Sequence, residues 1–367
     1  MGLSDLDRPV GPVGLEDLGG WPGVLGRLVA AQPLGADEAE CVMDQVFDGL
    51  ATPAQIGALL LGLRAKGETV EEVLGFSRSM LAHAEPVPLP DDLAVVDVVG
   101  TGGDRLRSIN VSTIAACIVA GAGVPVCKHG NRAASSSVGT ADVLEALGVA
   151  VDLGPAGVAR CVEEAGFGFC FARRFHTAMR FAGPVRAELG VPTVFNFLGP
   201  LTNPARVRRQ LVGVSDPTMA AKMAGVLGAN GSRRSMVVYA DDGLDELSVT
   251  SAATVLDLTG DGEGAYEVRT WRVDPVELGI PLATMEDLHG GDAAFNADVI
   301  RRVLDGERSP RRDIGVLNAA AALVVADVAD DLADGLARAA DAVDSGRAAE
   351  ALAGLVRAST AAAAAEG

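Results

Sequence analysis

The sequence predicts an α/β protein in which a small α-helical domain accompanies a larger α/β domain with a mostly parallel central sheet. Residues 35–84 carry apolar side chains at three- and four-residue spacing, as amphipathic helices do. Beyond residue 92, short β-branched runs alternate with helical segments, which is typical of a parallel sheet flanked by helices. At 367 residues, 49% of them hydrophobic, the chain is long enough for one large or two unequal domains.

Within the helical part, single residues predict where one helix begins and ends. Thr52 followed by Pro53 is a typical helix start, because threonine caps the first turn and proline suits the first helical position. Gly67 is placed to end that helix. The stretch "EPVPLPDD" then marks a hinge. The predicted parts are a loose leader over residues 1–20, a helical domain over 21–91 with about 175–198, and an α/β domain over 92–174 with 199–360.

Strands and helices beyond the hinge follow from the same patterns. A segment over residues 176–190 is predicted to be a helix that interrupts the α/β alternation. Helices return over residues 298–356, and the alanine-rich tail over 359–367 is predicted to fray. Five apolar runs are predicted to be strands, over residues 94–100, 124–128, 149–153, 167–172 and 235–240.

Charge and cysteine content narrow the functional class. A net charge of -19 argues against a nucleic-acid or anionic-membrane partner, because affinity for phosphate comes mostly from Lys and Arg. Only three of the 30 basic residues are lysines, and Lys128 is one of them. The five cysteines form no CxxC pair and favour reduced thiols in a soluble, cytoplasmic protein. No apolar stretch reaches the roughly 20 residues of a membrane span.

The first candidate site is the glycine-rich loop over residues 95–113. Gly100 and Gly103 allow close approach of a ligand, and Asp104 suits hydroxyls or a hydrated metal. Asn110 then opens a helix, whose free N–H groups and dipole favour phosphate. The alternative is an ordinary strand-to-helix turn with Asn110 or Ser112 as a cap.

The second candidate site is the polar segment that follows the next predicted strand. Ligands of α/β sheets bind at strand carboxyl ends, and hydroxyl donors suit phosphate oxygens. The alternative is a solvated turn with capping serines. The segment contains Lys128, His129, Asn131, Arg132, Ser135, Ser136, Ser137 and Thr140.

The third candidate site is an acidic loop after the run over residues 235–240. Asp241, Asp242, Asp245 and Glu246 crowd this loop, and such close like charges repel unless they are solvated or hold a cation. Next to phosphate-binding loops they favour Mg²⁺, which prefers one or two carboxylates plus substrate phosphate. The alternative is an exposed acidic turn.

The fourth candidate site lies on the interrupting helix. Arg186 follows His176 by ten residues, which places the two side chains on neighbouring helix faces. The planar guanidinium of arginine pairs with carboxylates through two hydrogen bonds. A helix with several arginines is otherwise a solvated face.

Together these segments resemble the anthranilate phosphoribosyltransferase family. The resemblance runs from about Ala54 to Val356 and includes "DVVGTGGD", "INVST", "KHGNRAASS", "FNFLGPLTNPA", "DGLDE", "HGGDAAFNA" and "VLNAAAAL". It implies a helical domain that mediates a homodimer and an active site in the cleft between the domains. It also implies Mg²⁺, two per active site, and the substrates phosphoribosyl diphosphate and anthranilate.

Residue roles implied by the resemblance agree with the chemistry of the loops. Anthranilate would contact Asn131, Arg186, His129 and His176, with Arg186 on the carboxylate, and the metal would contact Ser112, Asp245 and Glu246. The phosphoribosyl diphosphate site would comprise Gly100, Gly103, Asp104, Ser108, Asn110, Val111, Ser112, Thr113, Lys128, Asn131, Ser135, Ser136 and Thr140.

Four positions depart from the pattern of this family. Ser108, a mild change, stands where threonine is usual. Arg105 stands where glycine is usual, Val138 where serine is usual, and Thr177 where proline is usual. These departures favour an alternative in which the same donor is used with another aromatic acceptor. The retained Asn131 and Arg186 favour anthranilate.

Overall fold

The computed structural model describes residues 13–90, 92–102, 106–132 and 138–366. Two compact units divide these residues. The smaller unit contains the described residues up to His83 together with Ala178–Leu198, and the larger contains Ala84–Thr177 and the chain from Gly199 onward. No helix within the described part combines the length and apolarity needed to cross a membrane.

The helices fall into both units, as the sequence predicts. A short 3-10 helix, Leu15–Leu18, lies in the segment predicted to be a loose leader. In chain order the helices are α1 (Gly20–Val29), α2 (Ala36–Phe47), α3 (Pro53–Lys66), α4 (Val70–Ala82), α5 (Val111–Gly121), α6 (Thr140–Leu147), α7 (Pro155–Ala165), α8 (Ala172–Phe175), α9 (Met179–Leu189), α10 (Phe195–Leu201), α11 (Pro217–Ala229), α12 (Ala293–Leu304), α13 (Pro310–Val325), α14 (Leu332–Asp344) and α15 (Arg347–Glu366).

The predicted ends of α3 are confirmed. The Thr52 hydroxyl accepts a hydrogen bond from the N–H of Gln55, whose side chain accepts one from the N–H of Thr52 in return. Gly67 ends the helix with a φ of +86°. In the same unit Lys66 donates to Glu72 over 2.8 Å, and both side chains are buried. This pair joins the end of α3 to the first turn of α4.

In the described part of the larger unit, the central sheet has seven strands. Its strand order is β3-β2-β1-β4-β5-β6-β7; neighbours from β3 to β5 pair in parallel, while β6 and β7 pair antiparallel. The chain order therefore reverses between β1 and β4, where ligands of open α/β sheets bind. The strands are β1 (Val96–Gly100), β2 (Val126–Gly130), β3 (Phe167–Phe171), β4 (Arg209–Gly213), β5 (Arg234–Ala240), β6 (Ala253–Gly260) and β7 (Tyr266–Val273).

The strand predicted over residues 149–153 is wrong. Val149 and Val151 are buried, which explains the alternating apolar pattern, but no strand pairs with them. The N–H of Ala150 instead donates to the hydroxyl of Ser359 on α15 over 3.1 Å. A side chain therefore satisfies the backbone that a neighbouring strand would otherwise satisfy.

The tail predicted to fray is instead helical through Glu366. Ala362 is buried, and the carboxylate of Glu366 accepts the N–H of Gly154 over 3.0 Å. Alanine has the highest helix propensity, and packing against the core adds to it. The alanine run is therefore an ordered part of the larger unit.

Candidate active site

The carboxyl ends of β1, β2 and β4 bring together three of the predicted site segments. Gly100, the last residue of β1, is the register partner of Gly213, the last residue of β4. Lys128 and His129 lie near the end of β2, which pairs with β1 on its other side. The predicted site residues of these strands thus lie beside the point where the strand order reverses.

The first turn of α5 carries the predicted phosphate-binding residues. Asn110 is its N-cap residue, and Val111, Ser112 and Thr113 form the first positions of the helix. The hydroxyl of Thr113 is buried and has no hydrogen-bond partner among the described residues. The start of α5 therefore offers helix-dipole and hydroxyl donors together, which suits an anion.

A buried asparagine that the sequence reasoning missed orients Asn110. Asn296, on α12, donates to Oδ1 of Asn110 over 3.0 Å and accepts the N–H of Gly291 over 2.8 Å. The neighbouring backbone is fixed as well, because Ser108 forms an isolated β-bridge with His289. These contacts explain why "HGGDAAFNA" accompanies the glycine loop in the sequence.

Lys128 supplies a buried cation to this region. Its side chain is 1% exposed, and Nζ donates to Oγ of Ser112 over 3.1 Å and to the carbonyl of Val98. Burial lowers the pKa of Lys128, while the nearby carboxylates of Asp97, Glu246 and Asp245 act in the opposite direction. An additional anion close to Nζ would likewise favour the charged form.

The acidic loop after β5 divides into two pairs of carboxylates. Asp241 is held at the surface by Arg272, whose Nη1 donates to Oδ1 over 2.9 Å and which lowers the pKa of Asp241. Asp242 is an internal brace that accepts from Ser248, Thr250 and the N–H of Leu244. Burial opposes ionisation of Asp242, but these hydrogen bonds together hold its pKa below the usual value.

Asp245 and Glu246 are the pair that faces the sheet end, and each is 7% exposed. Oδ2 of Asp245 accepts the N–H of Gly102 over 2.6 Å. A Cβ added to Gly100 would lie 2.5 Å from this carboxylate oxygen, and one added to Gly213 would lie 1.5 Å from the carbonyl oxygen of Asp245. The two paired glycines therefore give the acidic loop the room to reach the sheet end.

A second buried asparagine holds the acidic loop from the other side. Asn318, on α13, is fully buried. Its Oδ1 accepts the N–H of Leu247 over 3.0 Å, and its Nδ2 donates to the Leu247 carbonyl over 2.8 Å. Because Leu247 follows Glu246 directly, Asn318 fixes the backbone of the acidic pair. The sequence reasoning assigned no role to this residue.

The chemistry of the acidic pair fits Mg²⁺. Carboxylate oxygens are hard ligands, and Mg²⁺ is bound through one or two of them together with water and substrate phosphates. No group of three or more His, Cys, Asp or Glu side chains suited to a metal occurs within the described ranges. Asp245 and Glu246 form such a minimal set, with Ser112 beside Lys128 as a further oxygen.

Two buried histidines pack against each other beside the end of β2. His129 lies on β2, and His176 follows α8. Their ring centroids lie 5.2 Å apart, and both side chains are buried. Burial, with the charges of His176 and Lys128, lowers the pKa of His129 to about 3. His176 ends α8 rather than lying on the same helix as Arg186, which is on α9. The helical spacing predicted for these two residues is therefore wrong, because residues 176–178 break the helix.

The loop between β2 and α6 is described only in part. Asn131 is exposed, and its carbonyl accepts the N–H of Ala141 over 3.2 Å. Arg132 is held by side chains of α6, because it donates to Asp142 over 2.8 Å and to Glu145 over 2.6 Å. It is thus not a free phosphate ligand. Thr140 is the first residue of α6.

Arg186 belongs to the smaller unit. Its guanidinium stacks over the ring of Phe195 at 5.1 Å and has no ion pair with any described residue. The side chain is half-buried, and burial lowers the pKa of Arg186. A half-buried guanidinium without a carboxylate is prepared to receive one from a ligand.

Six positions named in the sequence analysis lie outside the described residues. They include contacts that the resemblance implies for phosphoribosyl diphosphate in both polar loops, and the departure at position 105. They are Gly103, Asp104, Arg105, Ser135, Ser136 and Ser137.

Two family models match the chain. The model described as "Glycosyl transferase family, helical bundle domain" matches residues 22–84, and the one described as "Glycosyl transferase family, a/b domain" matches residues 92–349. With the seven-stranded sheet and the residues at its switch point, these matches define the class, a glycosyl transferase with a helical-bundle domain and an α/β domain.

Individual relatives narrow the class. Anthranilate phosphoribosyltransferase of Thermomicrobium roseum is 54% identical over 325 residues, which cover 89% of this chain and 93% of that protein. The enzyme of Salinispora arenicola is 53% identical over 339 residues, which cover 90% and 94%. The chain belongs to the anthranilate phosphoribosyltransferase family.

Solved structures agree with the predicted fold. The crystal structure of anthranilate phosphoribosyltransferase from Thermus thermophilus matches with a TM-score of 0.85 and 40% sequence identity, covering 92% of this chain and 99% of that chain. The Saccharomyces cerevisiae enzyme in complex with PRPP and Mg matches with a TM-score of 0.82 and 25% identity, covering 93% and 98%. The predicted α/β fold class is confirmed.

Proposed function

We infer that the protein transfers the phosphoribosyl group of phosphoribosyl diphosphate to the amine of anthranilate, giving N-(5-phosphoribosyl)anthranilate and diphosphate. The observation that carries this inference is the arrangement at the sheet switch point. Lys128 and Ser112 meet there at the start of α5, close to the buried pair Asp245 and Glu246. The relatives at 54% and 53% identity carry the same activity in their names.

The leaving group is stabilised by the residues around α5. When the C1–oxygen bond of the ribose breaks, positive charge grows on the sugar and negative charge on diphosphate. Asn110, Ser112 and Thr113 offer donors at the helix start, and Lys128 offers a buried positive charge. Such groups are preoriented, so they stabilise the developing charge without first reorganising. The other residues proposed to contact phosphoribosyl diphosphate are Gly100, Gly103, Asp104, Ser108, Val111, Asn131, Ser135, Ser136 and Thr140.

Magnesium would be held by Asp245, Glu246 and Ser112, and we propose two ions per active site. When bound, the metal neutralises phosphate charge on the donor. The N–H of Gly102 already orients Asp245 through a hydrogen bond. Asn318 fixes the backbone next to Glu246, because it accepts the N–H of Leu247. The protein therefore presents this pair in a fixed position.

Anthranilate would be positioned by Arg186, Asn131, His129 and His176. The guanidinium of Arg186, which has no ion pair with a described residue, would take the carboxylate. The arylamine is already neutral at pH 7, so it attacks without a strong base. Holding it against the anomeric carbon supplies much of the remaining acceleration.

A fluorescence assay of anthranilate consumption with phosphoribosyl diphosphate and Mg²⁺ tests this function. We expect anthranilate to be consumed in proportion to the diphosphate released. Unchanged anthranilate fluorescence, with donor binding intact by calorimetry, would reject anthranilate as the acceptor. It would favour the alternative of another aromatic acceptor with the same donor, for which Val138 and Thr177 would be the first positions to change.

We propose that the protein is a homodimer formed through its helical unit. Four large apolar side chains are exposed in the described part of that unit, and a second copy would remove them from water. Light scattering after size-exclusion chromatography should give twice the mass of one chain. A monomer over the working concentration range would reject the proposal. The exposed side chains are Val29, Leu50, Leu61 and Val191.

We also propose a cytoplasmic location. All five cysteines, Cys41, Cys117, Cys127, Cys161 and Cys170, are free thiols, as expected where glutathione keeps thiols reduced. Cell fractionation with an antibody to the protein tests the proposal. Recovery in a compartment other than the cytoplasmic fraction would reject it.

A further inference from the structure

A buried hydrogen-bond network surrounds the backbone of β2 where it carries His129, and the transfer described above does not use this network. Asp97, on β1, is fully buried. Its Oδ1 accepts the N–H of His129 over 3.2 Å, and its Oδ2 accepts Nδ2 of Asn203 over 2.8 Å. Asn203 also donates to the carbonyl of Cys127 over 2.8 Å and accepts the N–H of Ala205 over 2.9 Å. The network thus joins two strands to the turn that follows α10.

The last turn of α10, which precedes Asn203, contacts the side chain of His129. Nδ1 of His129 lies 3.0 Å from the carbonyl oxygen of Gly199. That oxygen also accepts the N–H of Thr202 over 3.2 Å and its hydroxyl over 3.3 Å. Because Asn203 follows Thr202 directly, its bonds to Asp97 and Cys127 set where the Gly199 carbonyl lies.

This contact decides which nitrogen of the ring carries the proton. A carbonyl oxygen only accepts, so Nδ1 of a neutral His129 must be the N–H and Nε2 must hold the lone pair. Nε2 is buried and has no hydrogen-bond partner among the described residues. Among the described residues, the charged or titratable groups around the ring are His176, Lys128 and Asp97. Burial, with the positive charge of Lys128, keeps the imidazole neutral.

We propose that Asp97 and Asn203 are positioning residues that act through the Gly199 carbonyl to hold His129 as the Nδ1–H tautomer. In this tautomer Nε2 accepts a hydrogen bond from one N–H of the arylamine acceptor. The inference rests on the proposed function, because the amine is the donor that the lone pair would meet. The amine nitrogen keeps its own lone pair for the anomeric carbon, and His129 takes no proton.

Nitrogen-15 NMR of histidine-labelled protein tests the tautomer directly. The chain has only four histidines, and His129→Gln identifies the signals of that ring. We expect a protonated Nδ1 and an unprotonated Nε2 at pH 7. A protonated Nε2 in the wild-type protein would overturn the proposal without reference to any variant.

The network is tested by comparing Asn203→Ala with Asn296→Ala. Both remove a buried asparagine, 3% and 2% exposed, but Asn296 orients Asn110 at the donor loop. We expect Asn203→Ala to raise KM for anthranilate about tenfold, as loss of a hydrogen bond does, and to give a mixture of tautomers. KM for phosphoribosyl diphosphate should stay within about twofold. Asn296→Ala should show the reverse preference and keep the tautomer.

The possible results distinguish failure of the positioning role from failure of the proposed function. If both variants change the two KM values alike, Asn203 is merely structural and the proposal is wrong. Should Asn203→Ala fail to fold, the wild-type spectrum still decides the tautomer. If wild-type protein transfers no phosphoribosyl group, the proposed function fails, whatever the spectrum shows. Normal transfer with the opposite tautomer rejects the positioning role alone.

Discussion

Two consecutive residues of β2 occupy opposite chemical surroundings. Lys128 turns to α5, donates to Ser112 and lies in the field of Asp97, Asp245 and Glu246. His129 turns to the other face, where a backbone carbonyl and the ring of His176 surround it. Successive side chains of a strand point to opposite faces, so a single strand supplies both surroundings. The charge proposed to act on the leaving group is thereby kept on the opposite face of the strand from the neutral imidazole of His129, which is proposed for the acceptor.

The largest expected effect comes from the acidic pair on the charged side. Replacing Asp245 by Asn together with Glu246 by Gln should lower Mg²⁺-dependent turnover by more than about 10³-fold, because the metal loses both carboxylates. Asp241→Asn is the matched control, since Asp241 shares the loop but pairs with Arg272. Steady-state rates over a Mg²⁺ titration measure both. Full activity in the double variant would exclude these residues as ligands.

Lys128→Met should have the next largest effect. Loss of one preoriented charge at the leaving group lowers kcat by about 10²-fold and raises KM for phosphoribosyl diphosphate more than KM for anthranilate. Lys222→Met, on α11, removes the same charge from another helix and should leave both constants unchanged. Equal losses in the two variants would mean that net charge, not position, matters.

Arg186→Ala tests the groups proposed to bind the acceptor. We expect KM for anthranilate to rise about 10- to 100-fold, as loss of a charged hydrogen bond does, with little change for the donor. Arg180→Ala is the control, because Arg180 is exposed on the same helix and stacks over Phe181. An equal rise in both KM values would contradict the carboxylate role.

The smallest expected effect concerns stability. Burial raises the pKa of Asp97 to about 6, against the opposing charge of Lys128 and hydrogen bonds from Asn203 and His129. The folded state therefore binds this proton more tightly than the unfolded state, and its stabilising contribution is lost as pH rises from about 4 to about 6. Between these two pH values, the free energy of unfolding of Asp97→Asn should rise relative to that of the wild-type protein by at most about 3 kcal/mol. Urea unfolding at several pH values measures this gain, and a constant offset would disprove it.

Local patterns were sufficient where a segment's neighbours in sequence determine its structure. The cap at Thr52, the helix that opens at Asn110 and the β2 location of Lys128 all follow from a few adjacent residues. The grouping of four acidic residues in one loop was also predicted. Which two of the four face the sheet came only from the family resemblance. The local pattern could not separate the two pairs, because Asp241 is held by Arg272, which lies more than 25 residues along the chain.

The three asparagines that orient site residues could not be predicted either, because their partners are also distant in sequence. Asn203, Asn296 and Asn318 each bond to a segment more than 70 residues distant. A lone asparagine in an apolar helix or a turn gives no sign of its partner. Arg132 illustrates the opposite case, since it was expected to aid phosphate binding and is neutralised by Asp142 and Glu145. These two carboxylates lie only ten and thirteen residues further along the chain, but the sequence did not show that they would pair with Arg132.

The glycines at the ends of β1 and β4 constrain how this sheet edge can change. Neither Gly100 nor Gly213 has a positive φ, so backbone conformation does not demand glycine at either position. What demands it is the room taken by Asp245. The absence of a side chain at both strand ends thus sets how closely the acidic loop can approach, and even alanine at either position would collide with Asp245.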